Sequence, residues 1–204
     1  MTFIPTASID RRAVALWRRF GLRPAFDAEA LLDGMDLSLL WQPLDEPEGT
    51  KVLGALKAAN RTVLLNERRL DELEVSLGLR RFTIGHEIGH WVLHADGARS
   101  GTILLPLDGE GRVWCRSGSS QRVERQAEMF AARLLVPWDL ISERVPTTGW
   151  AGWPFVYELA EAFAVTASAM VVRLEELNLA HRDVAGTPRS GRPIPVGQTT
   201  LFGA

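Results

Sequence analysis

The five residues His86-Glu87-Ile88-Gly89-His90 lie inside a segment, Leu79 to about Ala95, whose apolar spacing predicts a helix. At about 3.6 residues per turn, His86 and His90 fall one turn apart on one face, so both imidazoles can approach one ion at about 2.0–2.1 Å. Glu87 stands about 100° further round, near enough to act on a water at that ion without being a ligand. Phe82, Ile84, Ile88, Trp91 and Leu93 supply a broad apolar surface on the opposite side. The helix is therefore expected to lie against a sheet and turn its histidines toward a cleft. Gly85 and Gly89 each cost about 1 kcal/mol relative to alanine in a helix interior, which predicts another backbone or a ligand close by.

The flanking sequence points to an α+β fold. Ile9, Ala13, Leu16, Trp17 and Phe20 repeat at helical spacing over residues 6–20, and Gly21 follows as a stop. Asp27 precedes a short helix that ends near Gly34. Leu37–Gln42, Val52–Leu56 and Thr62–Leu65 favour strands, the last two forming a hairpin, so a small antiparallel or mixed sheet is expected. A short strand is expected around Thr102–Leu105 in an otherwise polar loop. Helices should follow at Arg122–Leu135, Trp138–Arg144, Phe155–Phe163 and Thr166–Leu177. These divide the chain into a main domain over 1–150, a helical pair over 151–182 and a Gly- and Pro-rich tail over 183–204, read as extended or mobile.

Composition narrows the chemistry. Twenty-three Lys and Arg against 25 Asp and Glu leave a net charge of −2, without the basic excess that non-specific nucleic-acid binding needs. No apolar run approaches the roughly 18 residues of a membrane span, and no secretory signal is visible, so a cytoplasmic protein is expected. A single cysteine, Cys115, excludes a cysteine-rich metal finger and an internal disulfide. A metal site must therefore draw on histidine and carboxylate.

A catalytic site needs a third protein ligand. His94 is two turns from His86, about 12 Å along the axis, too far for three rings of one helix to converge; a supporting or packing place is expected for it. Glu124 is the better donor, with Glu128 one turn later to accept the free ring N–H of a ligating histidine. Spacing alone leaves Glu124 open between that part and a solvated charge paired with Arg122 or Arg125.

The stretches Arg81-Phe82-Thr83-Ile84-Gly85-His86-Glu87-Ile88-Gly89-His90, Leu93-His94 and Glu124-Arg125-Gln126-Ala127-Glu128-Met129-Phe130-Ala131-Ala132-Arg133-Leu134-Leu135-Val136-Pro137 resemble the ImmA/IrrE-type metallopeptidases. The resemblance extends over about Asp27 to Leu179. It implies a zincin-like, gluzincin-type fold with zinc held by His86, His90 and Glu124, although two imidazoles and a carboxylate also suit manganese or another divalent ion. Glu128 stands where the family usually has Asn. The resemblance further implies a cytoplasmic zinc endopeptidase with Glu87 as general base, and as its substrate a helix-turn-helix repressor or antitoxin. A non-proteolytic regulator acting by contact with such a partner is the alternative. Tyr157, His181 or an arginine stand as choices for the group that stabilises the oxyanion.

Residues 154–182 have the look of a helix-turn-helix, but four acids and two bases, and no Arg, Lys, Asn or Gln at the start of the second helix, argue against DNA reading. Packing on the main domain or a partner surface is expected instead. Trp138, Trp150 and Trp153 are expected to pack at the junction. Arg11, Arg12, Arg18 and Arg19 read as a solvated face.

Overall fold

The computed structural model describes residues 4–94, 102–107, 118–146 and 149–192. Cys115 lies outside the described residues. Helix α1 (Thr6–Phe20) buries Ile9, Ala13 and Leu16 and ends on Gly21, whose positive φ lets its N–H reach the Trp17 carbonyl. Asp27 caps α2 (Ala28–Gly34) by accepting from the backbone N–H of Glu29 and Ala30.

Strands β1 (Ser38–Gln42), β2 (Lys51–Lys57), β3 (Thr62–Asn66) and β4 (Thr102–Leu107) form one sheet in the order β1-β3-β2-β4. The β2–β3 hairpin is antiparallel, as is β2–β4, whereas β1 runs parallel to β3 with Leu40 opposite Leu64. The sheet is therefore mixed. Every residue of β3 is buried, which suits a strand covered on both faces. Asn66, at the end of β3, accepts from the N–H of Leu44 and Arg68 and donates to the Val52 carbonyl, pinning the loop after β1 to the start of β2.

A short helix that sequence periodicity does not reveal, α3 (Leu70–Val75), leads into α4 (Leu77–His94). The long helix α5 (Gly118–Leu135) packs along α4, and Pro137 separates it from α6 (Trp138–Ser142). Ile84, Ile88, Leu93, Phe130 and Leu134 join the apolar residues of α1, α2, β2 and β3 in the main core. A second cluster starts at Leu135 and holds α6, α7 (Trp153–Phe163) and α8 (Ala167–Glu176) together around Phe163, Met170 and Leu174.

Helices α7 and α8 meet at 99°. Their corner rests on the first turn of α4: a Cβ at Gly78 would stand 2.6 Å from the Thr166 nitrogen. Among the described residues no single helix is long and apolar enough to cross a membrane. Past Asp183 the chain does not run free at once. Strand β6 (Pro188–Ser190) pairs antiparallel with β5 (Ala180–Arg182), and the Gly152 N–H donates to Pro188, so the hairpin is tied to the start of α7. The Gly- and Pro-rich composition that suggests an extended tail here supplies the turn, with Asp183 accepting from the N–H of Ala185 and Thr187.

Candidate metal centre

The α4–α5 contact governs the site. A Cβ at Gly89 would lie 2.9 Å from the Ala127 carbonyl oxygen, so the two helix backbones touch at that level. Gly85 is different, since the nearest atom to a Cβ there is the Ala131 Cβ at 3.5 Å, an ordinary contact. The close neighbour expected from the two glycines is thus a backbone, and it is needed at one of them.

This approach brings Glu124 of α5 onto the paired histidines of α4. Glu124 Oε2 is 3.1 Å from His86 Nε2 and 3.3 Å from His90 Nε2, and the two Nε2 atoms are 2.8 Å apart. All three residues are buried. Atoms bound at about 2.0–2.2 Å to one divalent ion stand about 3 Å from each other, so this triangle has the dimensions of one face of a coordination shell. Burial and the neighbouring His90 lower the His86 pKa to about 4, leaving a neutral ring with a lone pair to give. Burial works to raise Glu124, but the hydrogen bonds from His86 and His90 outweigh it and bring its carboxyl to about 2, so it is ionised. Two imidazoles and one carboxylate form a donor set that fits a divalent cation.

Glu87 is fully buried beside them, over β2, where a Cβ on Gly54 would come 3.4 Å from its Oε1. Among the described residues neither carboxylate oxygen has a hydrogen-bond partner. Burial, reinforced by the charge of Glu124, pushes its pKa well above the ordinary carboxylate value. A carboxyl in that condition takes a proton readily, as a general base must.

The remaining residues singled out from sequence divide clearly. His94 is partly buried, its ring centroid 6.0 Å from that of His90, and burial followed by the His90 charge lowers its pKa to about 4. It is not one of the three donors. Glu128 does not accept a ring N–H from either histidine, because Nδ1 of both His86 and His90 is without a partner among the described residues. One turn beyond Glu124, it is raised to about 7 by burial and by the Glu124 charge, with Arg125 opposing, and it lies within the field of Glu176. Tyr157 is exposed and stacks on Trp153, while His181 bonds the Gly191 carbonyl through Nδ1; neither is bonded to the three donors. Trp150 is buried and Trp153 partly buried in the second cluster as expected, but Trp138 is 48% exposed.

Two arginines went unnoticed in sequence as buried residues. Arg173 donates from Nε to the Val136 carbonyl and anchors α8 to the end of α5. Arg81, on α4, is 4% exposed. Helical periodicity carries a signal for both, since each shares a helix face with apolar core positions.

A buried His-His-carboxylate group on two touching helices, with a further carboxylate at its side, defines a metallopeptidase-type centre. The chain belongs to the Peptidase_M78 family, whose IrrE N-terminal-like domain model matches residues 46–175. No curated protein matches it. Among solved structures it is similar to a Mycobacterium tuberculosis transcriptional regulator, at 15% identity and a TM-score of 0.50, over 93% of this chain and 56% of that one. At that identity the likeness concerns the fold, and this chain spans little more than half the length of that protein.

Proposed function

We propose that this protein is a zinc-dependent endopeptidase that hydrolyses a peptide bond in a cytoplasmic protein partner, a helix-turn-helix repressor or antitoxin. The observation that carries the reading is the triangle of His86, His90 and Glu124 donor atoms at 2.8–3.3 Å with the unpartnered carboxyl of Glu87 beside it. His86, His90 and Glu124 would hold the ion, which supplies Lewis acidity toward a peptide carbonyl and toward water.

Glu87 takes the proton of the attacking water and passes it to the nitrogen of the departing amine. Among the described residues neither of its oxygens has a hydrogen-bond partner, which leaves both for those transfers. Glu124, already ionised, balances the charge of the cation. No serine or cysteine is needed, so no acyl-enzyme forms.

The test is co-expression with a candidate helix-turn-helix repressor or antitoxin from the same genome, comparing wild type with Glu87→Gln by intact mass of the partner. Cleavage by the wild type and none by Glu87→Gln is expected. If the partner stays whole with both proteins while the cellular effect persists, the chain acts by contact and the hydrolytic reading is wrong.

A further inference from the structure

Gly54 lies inside β2, opposite Leu65 of β3, where a glycine weakens a strand unless something needs the place of its missing side chain. Its φ lies outside the left-handed region, so the residue type there answers to space and not to backbone conformation. A Cβ would stand 2.7 Å from Thr83 Cγ2, 3.1 Å from the Leu64 carbonyl oxygen and 3.4 Å from Glu87 Oε1. The register of β2 against β4 shifts between Val52 and Ala55, so the strand is irregular at the same point. Strand and helix thus meet beside the carboxyl of Glu87.

Thr83 is the other wall. It is fully buried one turn before Glu87 on α4, so the two side chains share a helix face. Its hydroxyl donates to the Leu79 carbonyl at 3.0 Å, which fixes the rotamer of this β-branched side chain and leaves its methyl, Cγ2, against Gly54. Among the described residues Glu87 has no hydrogen bond of its own. Its oxygens are therefore placed by packing.

We propose that Gly54 and Thr83 are positioning residues for Glu87: the Thr83 methyl and the empty side-chain place of Gly54 form a slot that sets the carboxyl beside the three donors. The inference rests on the reading of Glu87 as the general base. Neither Gly54 nor Thr83 supplies a donor to the triangle. Their effect is on where the base stands, and a displacement of about 1 Å at such a group costs about 100-fold in rate.

The test moves one methyl across the contact. Gly54→Ala adds it on the strand, Thr83→Ser removes it from the helix while keeping a hydroxyl for the Leu79 carbonyl, and the double variant conserves volume. The readouts are the ¹³Cδ resonance of Glu87 in the metal-free full chain, assigned by its loss in Glu87→Gln, together with equilibrium unfolding and zinc affinity. Each single variant should displace that resonance. The double variant should return it toward its wild-type place and recover most of the stability lost by Gly54→Ala, so that the two changes are not additive. Zinc affinity should stay within about three-fold of wild type, short of the about 10- to 100-fold that follows loss of a ligand's outer partner. An unmoved Glu87 resonance in Thr83→Ser, or additive losses of stability, overturns the proposal; if Gly54→Ala does not fold, the Thr83→Ser resonance decides alone. Cleavage of a co-expressed partner should fall in Gly54→Ala and recover in the double variant, and cleavage at the wild-type rate despite a displaced resonance overturns the positioning role. A resonance displaced and restored, beside a wild type that cleaves nothing, upholds the slot and removes the hydrolytic reading alone.

Discussion

Gly89 and Ala127 stand so close that a methyl group added at Gly89 would be 2.9 Å from the Ala127 carbonyl oxygen and 3.0 Å from its Cα. Glu124 lies less than one turn before Ala127 on α5, and His86 and His90 flank Gly89 on α4, so this one contact sets how far the carboxylate stands from the rings. Neither backbone atom can move aside as a flexible side chain would. Gly89→Ala should cost about 1–3 kcal/mol of stability by overpacking and should weaken metal binding by spreading the donors. Gly85→Ala, with 3.5 Å to its nearest neighbour, should be neutral or gain up to about 1 kcal/mol from helix propensity. Urea denaturation and metal titration of the two variants check the contrast.

Removal and return of the ion should read out directly on folding. Zinc is expected to raise the Tm of the chelator-treated wild type and of Glu87→Gln, and His94→Ala should keep most of that gain. His86→Ala, His90→Ala and Glu124→Ala should lose it, with affinity falling more than about 100-fold, beyond what the loss of an outer partner costs. Differential scanning fluorimetry with metal analysis measures both. A Glu124→Ala protein that still binds zinc tightly would show that another donor completes the site.

Asn66 offers a test on the sheet. Its side chain is fully buried and serves Leu44, Arg68 and Val52 at once. Asn66→Ala leaves the Leu44 N–H and the Val52 carbonyl without that partner, so a loss of about 1–3 kcal/mol or more is expected in equilibrium unfolding.

Acid stability should carry the signature of Glu46. Its hydrogen bond from Arg69, which exceeds the opposing effect of burial, holds its carboxyl below the ordinary 4.5. A depressed carboxylate pKa gives stability that is present above the unfolded value and lost as pH falls through the folded one. Glu46→Gln should therefore cost about 1 kcal/mol at neutral pH, and its gap to the wild type should close as pH falls from the unfolded value through the lower folded one. Parallel unfolding curves that keep a constant gap down to pH 3 would contradict this.

The helices other than α3 and the four strands of the main sheet were legible from local pattern: the helical repeat of Ile9, Ala13 and Leu16 on α1, or the continuous apolar run of β3. The parallel pairing of β1 with β3 was not, since no local signal distinguishes it from a meander. Donor candidates in the centre were readable from one-turn spacing, but only the α4–α5 contact brings Glu124 to His86 and His90. Glu128 shows the limit of such spacing. It shares a face with Glu124, yet the ring nitrogens it was expected to meet have no hydrogen-bond partner among the described residues. Arg81 and Arg173 went unnoticed because charge gives no sign of burial, while a long side chain lets a helix bury the stem and deliver the head to a carbonyl.

Gly78 seats the foot of α4 directly on the elbow at Val165 and Thr166. The rod bearing both imidazoles is thus braced by the last two helices at its base and by Ala127 near its middle, leaving little slack between them. Under the proposed reading, a partner held on α7 or α8 would sit at the foot of the same helix that carries both imidazoles. A side chain introduced at Gly78 should therefore loosen the seat of α4 on the final helices without touching any of the three donors.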